Sequence, residues 1–165
     1  MKLYRSDLEQ FISNQLFEIS ADTLDLDDLQ FAGDIISCVC SVEAASKGYR
    51  IYGHVSADVQ ETCDRCLAEF VEAIQSKFNV ILTNDETLIA DQNMDVIPFA
   101  DSEESIDLTS VIHDVVLLAE PFKRLCNETC KGMCSSCGTN LNESTCDCHD
   151  TNSDSRWDAL KNLKN

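Results

Sequence analysis

A chain of 165 residues accommodates one domain, or one domain with a small appendage, and 44% hydrophobic residues suffice for a packed core. Thirty acidic side chains against 12 basic ones leave a formal net charge of −18, which excludes a protein that grips phosphate backbones through its overall field and suits a basic partner instead. Ten cysteines are the second departure from ordinary composition, and they must serve as disulfides, metal ligands or buried small hydrophobes.

The first 34 residues carry the weakest pattern: a short helix after Ser6 presenting Leu8, Phe11 and Ile12, then an acidic stretch with Asp22, Asp25, Asp27 and Asp28. Asp7 and Glu9 fall where a signal peptide needs an uninterrupted apolar stretch, so export is not expected. No run approaches the ~18 apolar residues of a membrane span. A cytoplasmic protein without membrane contact is the expectation, and a reducing cytosol favours zinc ligation or thiol catalysis over disulfides for clustered cysteines.

From Ile35 the pattern turns to strands. Ile35 to Ala45 is rich in β-branched residues, Ser46-Lys47-Gly48 reads as a turn, and Tyr49, Ile51, Gly53, Val55, Ala57 and Val59 alternate, which predicts a hairpin. Cys63-Asp64-Arg65-Cys66 interrupts this run, after which Phe70, Ile74, Phe78, Val80 and Leu82 share one side of a period-two segment. Three antiparallel strands are the economical reading. Between Phe78 and Phe122 there is no Lys or Arg, while ten acids occur. The first half of that stretch reads as a loop. The second half recovers helical spacing at Leu108, Val111, Ile112, Val115, Leu118 and Ala119, with Asp107 as N-cap and Pro121 as stop, and this helix is expected to cover one sheet face. The acid run itself is a solvated face or a surface for a basic protein.

The C-terminal 40 residues change character. Six cysteines, from Cys126 to Cys148, fall in a window of 23 residues almost without apolar side chains, so burial cannot order it and a metal ion is the closure a cytosol permits. Beyond a polar linker at Asp150 to Asp154, Ser155 is a cap for a short final helix with Trp157, Leu160 and Leu163. The predicted fold class is α+β: an antiparallel β-meander with a covering helix and a Cys-rich zinc-binding C-terminal segment. The predicted divisions are a β-rich core over 1–122, the cysteine-rich segment over 123–149, and a linker with a short helix over 150–165.

Four thiolates in a tetrahedron suit zinc, and two short-spaced pairs deliver them with little loop-closure cost. Cys134-Ser-Ser-Cys137-Gly138 and Cys146-Asp-Cys148 form such pairs with eight residues between them. Gly138 permits the positive φ of a tight knuckle, and Asn140 offers hydrogen bonds to the turn. The pair Cys63 and Cys66, between two predicted strands, resembles a hairpin knuckle whose partners are Cys126 and Cys130, a second site that ties the tail back to the sheet. Exchange of Cys126 or Cys130 for Cys146 or Cys148 at the other ion is the open alternative, so one or two zinc ions are expected. Cys38 and Cys40, two apart in one strand, read as core positions.

A thiol-disulfide oxidoreductase or redox sensor using Cys63 and Cys66 is the competing reading, weakened because no βαβ context surrounds that pair. The His-x-Glu base of a zinc deaminase is absent after His54, His113 and His149, and so are Walker A, Gly-x-Gly-x-x-Gly, Gly-x-Ser-x-Gly and His-Glu-x-x-His motifs. No catalytic residue and no small-molecule substrate are therefore expected.

Thr62-Cys63-Asp64-Arg65-Cys66-Leu67, the Phe70 strand, Ile106-Asp107-Leu108, Glu120-Pro121 and the block Cys126 to Cys148 together resemble the bacterial YceD family, as does the close Asp154-Ser155-Arg156-Trp157-Asp158-Ala159-Leu160. The resemblance covers roughly residues 35 to 163. It implies a non-enzymatic role in large-subunit ribosomal RNA accumulation and large ribosomal subunit biogenesis. Because so acidic a chain is repelled by bare RNA, the expected partner is a basic ribosomal protein or a large-subunit assembly intermediate, with RNA contact indirect or confined to Arg65, Lys123, Arg124 and Lys131. Compensation of thiolate charge is the alternative role of those four cations. A zinc-ribbon accessory subunit of another complex is the remaining reading.

Overall fold

The computed structural model describes residues 1–24, 26, 29–90 and 95–148. The expected linker and C-terminal helix, and Asp25, Asp27 and Asp28 of the acidic stretch, lie outside the described residues. In chain order the elements are β1 (Lys2–Tyr4), α1 (Arg5–Glu9), β2 (Gln15–Ser20), β3 (Ile35–Ala45), β4 (Gly48–Thr62), β5 (Glu69–Thr83), α2 (Glu86–Ile89), β6 (Val96–Pro98), β7 (Ser105–Asp107) and α3 (Thr109–Ala119).

Period-two burial draws the long strands together. Along β3, Ile36, Cys38 and Cys40 are wholly buried, and β4 turns Ile51, Val55 and Val59 inward while β5 turns in Ile74, Phe78, Val80 and Leu82. Strands β3 and β4 pair antiparallel through a two-residue loop, Ser46-Lys47, with Ala45 opposite Gly48. Gly48 has φ +127, and a Cβ there would lie 2.0 Å from the Leu82 carbonyl oxygen, so the turn admits no side chain at that position.

The sheet has five strands in the order β2-β3-β4-β5-β6, two more than the sequence pattern reveals. Strand β2 pairs antiparallel with β3, and it escapes sequence reading because only Ile19 along it is buried. Strand β6 runs parallel to β5, with Ile81 opposite Val96, so the sheet is mixed and the purely antiparallel expectation is corrected. The physical reason is the connection: β5 leads into the helical turn α2, whose first amides at Thr87 and Leu88 donate to the Asp85 carboxylate at 2.9 and 3.2 Å, and the chain crosses over instead of folding back in a hairpin. The half of that stretch expected to be a loop thus holds α2 and β6, and β7 lies just beyond it. Strand β7 pairs antiparallel with β1 in a second, two-stranded sheet.

Helix α3 buries Ile112 and Val116, together with its cap residue Leu108, in the same apolar cluster as the sheet residues. That row of i, i+4, i+8 positions corrects the expected stripe by one residue: Leu118 is 83% exposed. Asp107 lies one residue before the cap position, yet its carboxylate accepts from the Thr109 amide at 2.9 Å and does the capping. Helix α1 is shorter than expected, since Phe11 follows it with φ 49 and is half exposed. Cys38 and Cys40 take the expected core positions, and burial pushes their thiols up to about 11 and about 12, where they stay protonated at neutral pH.

The chain divides into two compact units, one of residues 1–61 with 71–122, the other of 62–70 with 123–165. The sequence reading leaves residues 62–70 with the β-rich part; the structure groups them with the cysteine-rich segment. Among the described residues no helix is long and apolar enough to cross a membrane.

Candidate metal centres

Eight of the ten cysteines belong to the second unit, where two turns of the same construction present four of them. In the first, the Cys63 amide donates to the Ala68 carbonyl and the Leu67 amide to the Cys63 carbonyl, both at 2.9 Å. In the second, Cys134 donates to Thr139 and Gly138 to Cys134, again at 2.9 Å. The residue after the second cysteine is left-handed in each, Leu67 at φ 57 and Gly138 at φ 73. This geometry curls the backbone around the sulfurs and turns its amides toward them.

Cys126 and Cys130 arrive on a segment hydrogen-bonded to the first turn. The Asp64 amide donates to the Arg124 carbonyl at 2.8 Å, the Arg124 amide to the Asp64 carboxylate at 2.8 Å, and the Met133 amide to the Arg65 carbonyl at 3.0 Å. Between them Asn127 accepts from both the amide and the hydroxyl of Thr129 at 2.9 Å. The result places Cys63 Sγ 3.8 Å from Cys130 Sγ and Cys66 Sγ 3.6 Å from Cys126 Sγ. All four sulfurs of this hairpin quartet lie within 4.8 Å of one another, and so do those of the tail quartet, Cys134, Cys137, Cys146 and Cys148.

These separations test what the quartets can hold. A disulfide needs sulfurs at ~2.05 Å, and all ten cysteines are free thiols. Zinc–sulfur bonds of about 2.3 Å in a tetrahedron place sulfurs about 3.8 Å apart, the spacing seen in the hairpin quartet. Both quartets could hold a metal ion. Four protein ligands leave no open position, which is the arrangement of a structural metal site.

The quartets differ in surroundings. Cys63, Cys66 and Cys130 are buried beside Ala68, Phe70 and Leu125, whereas Cys137 and Cys148 are exposed. Their electrostatics agree. The backbone amide of Cys126 is foremost among the donors that pull the Cys63 thiol down to about 6, while the Cys66 sulfur pushes Cys126 up to about 12. In the tail quartet the Thr139 hydroxyl, 3.1 Å from the sulfur, brings Cys137 down to about 6, and the Cys137 sulfur pushes Cys148 up to about 12. In each cluster some thiols are pulled down and others pushed up, so a fully anionic set of four sulfurs is favoured only beside a cation.

The cations singled out in the sequence have specific places. Arg65 donates through Nη1 to the Cys130 carbonyl at 2.7 Å, and Arg124 Nε lies 3.9 Å from the Asp64 carboxylate. Lys123 and Lys131 are exposed. Sequence reasoning missed Asn142, whose amide nitrogen donates to Cys130 Sγ at 3.3 Å, and Leu67, whose left-handed backbone no composition rule suggests.

Residues 51–164 match the profile of the family described as large ribosomal RNA subunit accumulation protein YceD. The chain belongs to the YceD family. The matched span contains both quartets and leaves out Cys38 and Cys40. Among curated relatives, a chloroplastic protein of Arabidopsis thaliana named large ribosomal RNA subunit accumulation protein YCED homolog 1 is 28% identical over 144 residues, covering 72% of this chain and 45% of its own. Its namesake in Zea mays is 27% identical over 131 residues, covering 62% and 45%. An uncharacterized protein of Mycobacterium bovis is 31% identical over 118 residues, covering 66% and 53%. The chain thus spans about half the length of the curated relatives it matches. No solved structure matches it.

Proposed function

We propose that this YceD-family chain is a zinc-closed, non-enzymatic binding factor of the bacterial cytoplasm that supports accumulation of large-subunit ribosomal RNA. In this reading α3 covers a sheet face, and each quartet holds one zinc ion that orders a segment too polar to order itself. The observation that carries it is the placement of two thiol quartets, each with its four sulfurs within 4.8 Å of one another, inside the span that matches the family.

Charge supports a division of labour in binding. The sheet unit has five Lys and Arg against 22 Asp and Glu, whereas the cysteine unit has seven against eight. A basic ribosomal protein or assembly intermediate is the partner of the first, and a local RNA contact through Lys123 and Lys131 is reserved for the second. The quartet geometry also favours coordination over a redox pair, because Cys63 and Cys66 have Cys130 and Cys126 as neighbours at 3.8 and 3.6 Å.

The test is a pull-down with the tagged full chain combined with depletion. Enrichment of large-subunit precursors or of one basic ribosomal protein, weakening with added salt, is the expected result, together with a fall in large-subunit RNA relative to small-subunit RNA. Recovery of neither, with unchanged RNA ratios, overturns the reading. Disulfide reductase activity lost in Cys63→Ser at unchanged metal content would install the redox alternative in its place.

A further inference from the structure

The tail quartet is closed by a loop, residues 138–145, that joins Cys137 to Cys146. One side chain of this loop does not serve the quartet that encloses it. Asn142 Nδ2 donates to the sulfur of Cys130, a member of the hairpin quartet, at 3.3 Å. The orientation of that amide is dictated by its other partners. Asn142 Oδ1 accepts from the Lys131 backbone amide at 2.8 Å, which requires an oxygen there, so the NH2 group must face Cys130 and Asn140.

Asn142 is held from several directions. Asn140 Oδ1 accepts from the Asn142 backbone amide at 3.0 Å and from Asn142 Nδ2 at 2.8 Å, while Asn140 Nδ2 donates to Glu143 at 3.0 Å. The Leu141 amide donates to the Gly132 carbonyl at 2.9 Å, and Met133 bridges Asn140. These bonds lie within the loop or join it to residues 130–133, the run that leads into Cys134 of the tail quartet. A donor aimed at a ligating sulfur favours its anionic, metal-holding form.

We propose that Asn142 couples the two metal centres: an ion in the tail quartet orders the loop that delivers the Asn142 amide to Cys130, and so tightens metal binding in the hairpin quartet. The inference rests on the reading of both quartets as metal sites. Without the tail ion, the hairpin quartet must itself meet the entropy of ordering residues 138–145 before it gains that hydrogen bond. Linkage makes the effect reciprocal, so the hairpin ion tightens the tail site by the same factor. Asn142 is a positioning residue, since it acts on the ion through the Cys130 sulfur.

The experiment uses the full chain loaded with cobalt(II), read by thiolate-to-metal absorption and by chelator competition. Replacing Cys137 and Cys148 together by Ser disables the tail quartet and is expected to weaken cobalt binding in the hairpin quartet about 10- to 100-fold, the usual scale for losing a hydrogen bond to a ligand. In an Asn142→Ala background the same pair of replacements should cost nothing further. Asn142→Asp keeps the shape and the acceptor for Lys131 but points a charged oxygen at the thiolate, so it should bind cobalt more weakly than Asn142→Ala. An Asn142→Asp chain that binds as tightly as the wild type reduces Asn142 to a structural role and overturns the proposal. Equal loss from the serine pair in both backgrounds does the same. A wild-type chain with no thiolate-to-cobalt absorption overturns the metal reading itself, a separate and visible failure.

Discussion

The two units of this chain reach order by different physics. The sheet unit turns Ile36, Ile51, Val59, Leu82, Leu108, Ile112 and Val116 into one apolar cluster and leaves them at most 1% exposed. The cysteine unit buries Cys63, Cys66 and Cys130 with only Ala68, Phe70 and Leu125 packed against them. At about 25 cal/mol per Å² of apolar area, the first set of contacts can offset a large loss of chain entropy and the second cannot. What replaces burial in the cysteine unit is geometry already suited to a cation: eight sulfurs in two quartets, with backbone amides turned toward them. On the proposed metal reading, a short polar segment is ordered by its ligands rather than by side-chain volume.

Removing metal should separate the two units most sharply. Structural zinc sites contribute about 10–16 kcal/mol of apparent folding free energy, so a strong chelator is expected to abolish hydrogen-exchange protection at the amides of Asp64, Met133 and Leu141. The amides of Val42 and Ile81, bonded to Ile12 and Asp95, should keep theirs. Equal loss in both sets would show that the sheet unit also depends on the ions.

Acid should reproduce this separation more gradually. Cys63 and Cys137, each drawn down to about 6, are thiolates above that pH and thiols below it, so their contribution to holding metal is present at neutral pH and lost as pH falls through 6, lower still where a bound ion competes with the proton. In the sheet unit, Asp85 is held below the ordinary carboxylate range first by Lys47, at 2.5 Å, and then by the Thr87 hydroxyl. Its contribution is present above that range and vanishes only as pH falls through the carboxylate region. Metal release near pH 5 with intact sheet protection is the expected order, measured by chelator colour and exchange on one sample.

Core truncation cuts the other way. Ile51→Ala removes a wholly buried side chain from β4, the middle strand of the sheet, and should cost about 2–5 kcal/mol in denaturant unfolding of the sheet, with metal stoichiometry unchanged. Gly48→Ala, which forces a Cβ to within 2.0 Å of the Leu82 carbonyl at φ +127, combines backbone strain with overpacking and should cost at least about 3 kcal/mol in the same assay.

How far the sequence discloses these units follows from the same contrast. Long alternating strands and the helical row at Leu108, Ile112 and Val116 announce themselves because apolar side chains repeat. Strand β2 buries only Ile19, and β6 is three residues ending in Pro98, so neither carries a period long enough to read; their places come from pairing with β3 and β5. In the cysteine unit, spacing groups the cysteines into pairs but leaves open which pairs meet. That choice is made by hydrogen bonds such as Met133 to Arg65 and Arg124 to Asp64, which join residues some 60 positions apart and leave no trace in a local pattern. Asn142 is hidden because its bonds to Lys131 and Cys130 follow no regular spacing that a sequence pattern would show.

The smallest effect compares the two turns directly. Both need a left-handed residue after the second cysteine; the tail turn supplies Gly138 and the hairpin turn supplies Leu67, 62% exposed and therefore contributing little by burial. A non-glycine residue in that conformation costs roughly 1–2 kcal/mol, while glycine forfeits roughly 0.5–1 kcal/mol through the freedom of the unfolded chain. Leu67→Gly should therefore strengthen the hairpin turn by up to about 1 kcal/mol, and Gly138→Leu should weaken the tail turn by a similar amount. The measurement is chelator competition at each quartet. If Leu67→Gly loosens the hairpin site instead, the Leu67 side chain has a contact to make, and an exposed apolar residue beside a metal centre then becomes the place to look for a bound partner.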